Sequence, residues 1–560
     1  MLDIRFDNVT IIDGTGKPGF LGSVGVRDGR ILEVGSFEGR AKETLDASGL
    51  CLMPGIVDNH THYDAQVTWD PYCNPSPLLG VTTLVMGNCG FTIAPCHPSD
   101  RDITMRNLTQ VEGMSIDALK EGIDWSFETF PQYLDMLEAK GVGPNVCCFV
   151  GHSSVRTYVL REDAATRAAT PEEVKQMRAV VVEAMEAGAC GFATTRYPGH
   201  NGEHGIPMPS RLADDAEMLT LSGALRDVGR GILMMTKSFD MPISTIEKLC
   251  AEANRPYIIA ALLHSHLDPN KTFADLSEIK LAQSRGNRLY GAVSPCPLNM
   301  DFSFHSPYPL EGFSCWHPMM DLSVESYKEA LADPAFRKAF MDELNSGEVK
   351  VFSGEWDKVY VAQVASTANI SLEGKSIADL AEVSQKAPFD FMLDLALEEN
   401  LDTMFTATIM NSDEDAVGKM MCDENAIISL SDAGAHLTFL CDAGFGLHVL
   451  GHWARDKKIM PLEKAVHKLT LEPAKLFGIK NRGYIGPGAW ADLLLFDPKL
   501  VGRGPSQRLH DLPAGASRLT TPSIGVHGVW INGQKVADGD GLVNGAPLAG
   551  QVIREYADAH

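Results

Sequence analysis

The middle of this chain alternates short apolar runs with amphipathic stretches, and that order leaves few folds open. Strand-like runs read as Val81–Met86, Asn145–Val150, Gly191–Thr195, Gly231–Thr236, Tyr257–His264, Arg288–Val293 and Ala426–Leu430. Another apolar run, Leu52–Tyr63, ends in His60-Thr61-His62. Helical patterns separate several of these runs. The clearest starts at Thr170, an N-cap with Pro171 at the first helical position and Glu173 completing a capping box, and runs to about Ala187. Repeated strand-then-helix order implies a parallel sheet, and about eight such units close a (β/α)8 TIM-like barrel.

The two ends of the chain have a different texture. Ile4–Ile12, Ser23–Val26, Arg30–Val34 and Thr44–Cys51 read as strands, with Asp28-Gly29 as a hairpin signal. Ala491–Phe496 and Gly525–Asn532 repeat that texture, with Asn532-Gly533 as a second hairpin signal. Neither end is large enough to bury a core alone, so residues 1–53 and 483–560 are expected to pair into a small β-sandwich beside a barrel of residues 54–482. That middle exceeds the roughly 250 residues typical of such a barrel. An insertion is therefore placed at about 295–402, where an aromatic, Pro-rich stretch (Phe302–Trp316) precedes charged helices. Insertions of this kind commonly cover or shape a site.

Composition narrows the function classes. A formal charge of −25 argues against nucleic acid, whose phosphates need clustered Lys and Arg. No apolar run is long enough to cross a bilayer, and the N-terminal residues lack the basic-then-apolar pattern of a signal peptide, so a cytoplasmic protein with no membrane partner is expected. The 12 Cys are scattered without a CxxC pair, and reduced thiols are the default. A small-molecule substrate and a homo-oligomeric assembly are expected.

Polar residues that could carry chemistry gather at the ends of the apolar runs. His60 and His62, two apart on a strand, share a face and could hold one metal ion. Cys89 lies in Gly87-Asn88-Cys89-Gly90, directly after Val81–Met86, and its thiolate would be a strong zinc ligand. The stretch Tyr257–His266 presents His264 and His266, again two apart at a strand end, and Asp432 follows Ala426–Leu430 beside a glycine-containing turn. Each has a plain alternative: a hydrogen-bonded histidine, a small buried thiol, a turn-capping Asp. In a barrel, however, all these strand ends face one mouth.

These residues carry a family resemblance. The segments Pro-Gly-Ile-Val-Asp-Asn-His-Thr-His-Tyr-Asp (54–64), Gly-Val-Thr-Thr-Leu-Val-Met-Gly-Asn-Cys-Gly (80–90), Gly-His-Ser (151–153) and Ser-Asp-Ala-Gly-Ala-His (431–436) are similar to those of the amidohydrolase superfamily. Leu-Glu-Lys-Ala-Val-His-Lys-Leu-Thr (462–470) and Pro-Gly-Ala-Trp-Ala-Asp-Leu-Leu-Leu-Phe-Asp-Pro (487–498) extend the likeness, and Gly-Asn-Cys-Gly resembles the D-aminoacylase (N-acyl-D-amino-acid deacylase) branch in particular. The resemblance implies a metal-dependent barrel flanked by a β-sandwich from both termini. It also implies that His60, His62, Cys89, His266 and Asp432 form the metal site, with Cys89 in place of the carbamylated Lys that bridges two metals in other branches.

One position departs from that pattern. Where the family has a His after its fifth strand, this chain reads Met234-Met235-Thr236-Lys237, and an ammonium cannot ligate zinc. Either a ligand is lost, or His264 substitutes for it, or Lys237 is carbamylated or contacts substrate. Loss of the ligand is favoured, giving one zinc ion rather than two.

The implied reaction is hydrolysis of a linear amide, most simply of an N-acyl amino acid. A bound metal lowers the pKa of its water to about 7, and Asp432 acts as general base and then acid for the attacking hydroxide and the leaving nitrogen. Arg156, Arg196 and Lys237 could clamp a substrate carboxylate. His152, His200, His204 and His436 are expected to make structural hydrogen bonds. The alternatives are hydrolysis of a cyclic amide, a carbamate or a xenobiotic anilide, and, in another class, a metal-free oligomeric scaffold.

Overall fold

Strands that are buried on both faces need near-continuous apolar sequence, and the runs identified above form one such set. In the computed structural model, which describes residues 1–320, 322–346 and 351–557, eight of them pair as a parallel sheet. In chain order they are β1 (Ile56–Thr61), β2 (Val81–Met86), β3 (Asn145–Gly151), β4 (Gly191–Thr195), β5 (Ile232–Thr236), β6 (Tyr257–Leu262), β7 (Leu289–Val293) and β8 (Ala426–Ile428). Each pairs with the next. The first and last also meet: Asn59 Nδ2 donates to the Ile428 carbonyl at 2.8 Å, and just past β8 Thr61 bridges Ala433 in parallel, with the His62 N–H donating to the Ala433 carbonyl at 2.8 Å. The expected (β/α)8 barrel is thus closed.

The helices obey the local signals. Pro171–Ala187 is capped by Thr170, whose hydroxyl accepts from the Glu173 N–H while the Glu173 carboxylate accepts from the Thr170 N–H; it ends at Gly188. Met177, Val181, Ala184 and Met185 form its buried stripe at the spacing of one helix face. Strand ends were less legible. The eighth strand stops at Ile428, not Leu430, because Leu430 adopts φ +66°, which no β-strand accommodates.

The termini meet as expected. Nine strands form one sheet, in which Cys51–Pro54 from the N-terminal segment pairs antiparallel with Leu493–Phe496 from the C-terminal one. Both hairpin signals are turns with positive φ at each central residue, Asp28 and Gly29 at +52° and +74°, Asn532 and Gly533 at +47° and +78°. The predicted strand Thr44–Cys51 is two strands, Ala41–Asp46 and Cys51–Pro54. Phe6 and Trp530 lie three strands apart along the sheet yet touch edge to face at 4.9 Å. In a flat sheet that offset would separate them by about 14 Å, so the sheet folds over a core of Phe6, Val24, Ile31, Leu52, Leu493 and Trp530.

A second compact unit comprises Leu263–Thr272 and Cys296–Val417. It holds a three-stranded antiparallel sheet, ordered Leu298–Phe302, Met404–Met410, Val359–Gln363. Its aromatic stretch forms its own core: Phe304 stacks on Trp316, Trp316 meets Phe336 edge-on at 5.2 Å, and Phe340 stacks on Phe389 at 4.0 Å. Among the described residues no helix is long and apolar enough to cross a membrane, and all twelve cysteines are free thiols.

Candidate metal centre

His60 is the penultimate residue of β1 and His62 follows the strand, so both imidazoles project to the same side, with ring centroids 5.3 Å apart. Cys89 reaches them from the turn after β2. That turn runs through positive φ at Gly87 (+85°), Cys89 (+57°) and Gly90 (+82°), a conformation unfavourable for a cysteine unless its surroundings enforce it. The enforcement is visible: Asn88 Nδ2 donates to the Val85 carbonyl at 2.9 Å, and the Gly87 N–H donates to Asp64 Oδ2 at 2.9 Å. Cys89 Sγ comes within 3.6 Å of His60 Nε2 and 3.2 Å of Thr236 Oγ1, at the end of β5.

Asp432 completes the group from the loop after β8. Its Oδ1 lies 3.1 Å from His60 Nε2 and 3.6 Å from His62 Nε2. The loop is strained in the same way, with Leu430, Asp432 and His436 all at positive φ. Gly434, at φ +88°, packs so closely that a Cβ there would sit 2.8 Å from the His62 carbonyl carbon.

The electrostatics are those of a charge cluster withdrawn from water. Ligand atoms of His60, His62 and Cys89 lie within 4.8 Å of one another, and all three residues are buried. Burial alone would lower the His60 pKa, but Asp432 and the Cys89 sulfur raise it to about 9. His62 is likewise held well above the usual range, its burial outweighed by Glu112 and Asp432. Burial pushes Asp432 up, yet the two imidazoles hold it well below an ordinary carboxylate. Cys89 is lowered too, burial being outweighed by His60 and His62. Two imidazoles, a thiolate and a carboxylate converging in a buried pocket fit a divalent cation with zinc's preferences.

The other expected residues are placed as follows. Lys237, just past β5, is buried with its ammonium 3.0 Å from Asp275 Oδ2. His264 and His266 belong to the second unit, where the His264 N–H donates to Asn411 Oδ1 at 2.7 Å and His266 Nδ1 lies 2.9 Å from Glu355 Oε2. Arg156, expected among the substrate cations, is instead fully buried: its guanidinium pairs with Glu217 and donates to the Arg167 carbonyl. Glu217 also binds His152 Nε2 at 2.8 Å, and burial keeps that imidazole below its usual pKa. Arg196, half-buried at the end of β4, donates to the Ala213 carbonyl at 2.9 Å.

His200 Nδ1 bonds Thr195 Oγ1 at 2.7 Å, and burial pushes its pKa down to about 3, with His436 and His62 adding to the shift. His436 Nδ1 has no hydrogen-bond partner among the described residues. The side chain of His204 lies outside the described residues. Sequence reading missed Glu112, whose Oε1 lies 2.9 Å from His62 Nδ1, and Thr236. A lone Glu at a helix end and a Thr closing a strand carry no motif.

Known proteins share this fold. Residues 43–537 match the model of the amidohydrolase family. D-aminoacylase from Alcaligenes xylosoxydans xylosoxydans is 27% identical over 547 residues, covering 95% of this chain and 94% of its own. A solved D-aminoacylase structure, described for its binuclear metal centre, superposes with a TM-score of 0.67 at 23% identity, over 99% of this chain and 100% of that one. N-acyl-D-glutamate deacylase from Bordetella bronchiseptica, complexed with zinc and a phosphonate inhibitor, does so with a TM-score of 0.65 at 24% identity and the same coverage.

Proposed function

The chain belongs to the amidohydrolase family, and from that premise we propose that it is a zinc-dependent deacylase cleaving the linear amide of an N-acyl-D-amino acid. The observation that carries the reading is the convergence of His60 Nε2, His62 Nε2 and Asp432 Oδ1 beside Cys89 Sγ. His60, His62 and Cys89 would hold one ion, leaving zinc's fourth position open for water beside Asp432. Lys237 adds no ligand in this reading, because an ammonium facing Asp275 presents no lone pair. The likeness to D-aminoacylase and N-acyl-D-aspartate deacylase, each matched along nearly its whole length, supports the substrate class.

When bound, the ion would polarise the scissile carbonyl and acidify the attacking water. The chain's own residues supply the proton traffic. Asp432, the most exposed of the four with 22% of its side chain open, is ionised at neutral pH and accepts a proton from water. It then returns that proton to the departing nitrogen, which leaves poorly without one. The buried imidazoles of His60 and His62 fix where the carboxylate can reach. Arg196 is the cation we assign to the substrate carboxylate, since Arg156 is committed to Glu217 in the interior.

The test is a substrate screen with zinc present: N-acetyl amino acids of both hands, simple lactams and anilides. Turnover of the D-series supports the proposal, and turnover confined to lactams or anilides would remove it.

A further inference from the structure

Glu112 sits where elementary rules disfavour it. It is the C-cap of the helix Arg101–Val111, with its N–H on the Leu108 carbonyl at 2.9 Å, so its carboxylate lies at the negative end of the helix dipole. It is 1% exposed, and no Lys or Arg pairs with it among the described residues. Burying a carboxylate there without a compensating partner would be costly. Its partner is His62: Nδ1 lies 2.9 Å from Glu112 Oε1 as an ion-pair contact, and apart from that contact both buried atoms are without a partner among the described residues.

Resting on the metal-site reading above, we infer that Glu112 is the positioning residue that fixes the tautomer and aim of His62. In the neutral imidazole that a metal requires, a carboxylate facing Nδ1 favours the proton there, which leaves the Nε2 lone pair on the side of Asp432, where the ion would sit. The same residue aligns a second part of the site. Its backbone carbonyl accepts the N–H of His436, on the loop that carries Asp432. One helix end thus holds the β1 ligand by its side chain and the β8 loop by its main chain.

The test is zinc binding by the metal-stripped full-length protein, titrated against a competing chelator. Glu112→Ala should weaken zinc binding about 10- to 100-fold, the range typical for losing a partner of a ligating histidine. Glu112→Gln keeps an oxygen acceptor of the same reach and should recover part of that loss, with an apo unfolding temperature equal to wild type. Cobalt loaded into either variant should retain the near-ultraviolet thiolate band from Cys89, at higher cobalt concentration. Equal zinc affinity in wild type and both variants would overturn the inference. Failure of the wild-type protein itself to bind zinc would overturn the metal reading beneath it, a distinct outcome.

Discussion

Asp432 Oδ1 stands 3.1 Å from His60 Nε2, although His60 is the penultimate residue of β1 and Asp432 follows β8, so closure of the barrel is what brings the proposed proton acceptor and the proposed ligand together. Asp432→Asn keeps the shape and removes the basic oxygen. It should lower kcat by about 100- to 10,000-fold, the usual contribution of a positioned acid–base group. Zinc should remain bound through His60, His62 and Cys89. Parallel measurement of kcat and zinc content checks this; an Asn variant with wild-type kcat would remove Asp432 from the chemistry.

The loop that carries Asp432 depends on a glycine. At Gly434, φ is +88° and a Cβ would meet the His62 carbonyl carbon at 2.8 Å. Gly434→Ala should therefore cost about 1–3 kcal/mol in backbone strain and displace Asp432 from His60. The expected result is a lower unfolding temperature together with a kcat loss, measured side by side. Unchanged values for both would show that the loop tolerates the bulk.

Lys237 is expected to act as an interior ion pair. Lys237→Met should remove the ammonium that faces buried Asp275 and lower the unfolding temperature, while zinc content per folded chain stays at the wild-type level. Thermal unfolding and metal analysis of the same preparation decide it. Loss of zinc in a variant that keeps its unfolding temperature would return Lys237 to the metal site.

A pH dependence arises away from the metal centre. His448 stacks on His452 at 4.7 Å, and burial, aided by Arg503 and His452, pushes its pKa down to about 3. In the unfolded chain the same imidazole takes up a proton near its ordinary pKa of 6.5. Between those values the unfolded state binds more protons, so stability is highest above pH 6.5 and falls as pH drops toward 3. The slope from this one group reaches at most about 1.4 kcal/mol per pH unit. His448→Phe should flatten the acid limb of unfolding temperature against pH; an unchanged limb would show that His448 is not its source.

How much of this was legible in the sequence follows from the range of the interactions. The capped helix from Pro171, the Asp28-Gly29 and Asn532-Gly533 turns and the barrel strands are set by neighbours within a few residues, and all were readable. Of His60, His62, Cys89, His266 and Asp432, which the sequence grouped at the ends of apolar runs, His60, His62, Cys89 and Asp432 come together while His266 faces Glu355. Glu112 with His62, Lys237 with Asp275, and Arg156 with Glu217 and His152 were not readable. Each joins residues from different loops or helices, and Arg156 in particular looks like any surface cation until the fold buries it. The breaks at Leu430 and between Asp46 and Cys51 depend on backbone angles that composition does not reveal.

The most direct test of the account is zinc stoichiometry measured against deacylation of an N-acetyl-D-amino acid in one preparation, before and after chelation. The account predicts one zinc per chain, activity lost in step with its removal, and activity restored when zinc is returned. Full D-amino-acid deacylation by metal-free protein, or none by protein carrying one zinc per chain, would contradict it.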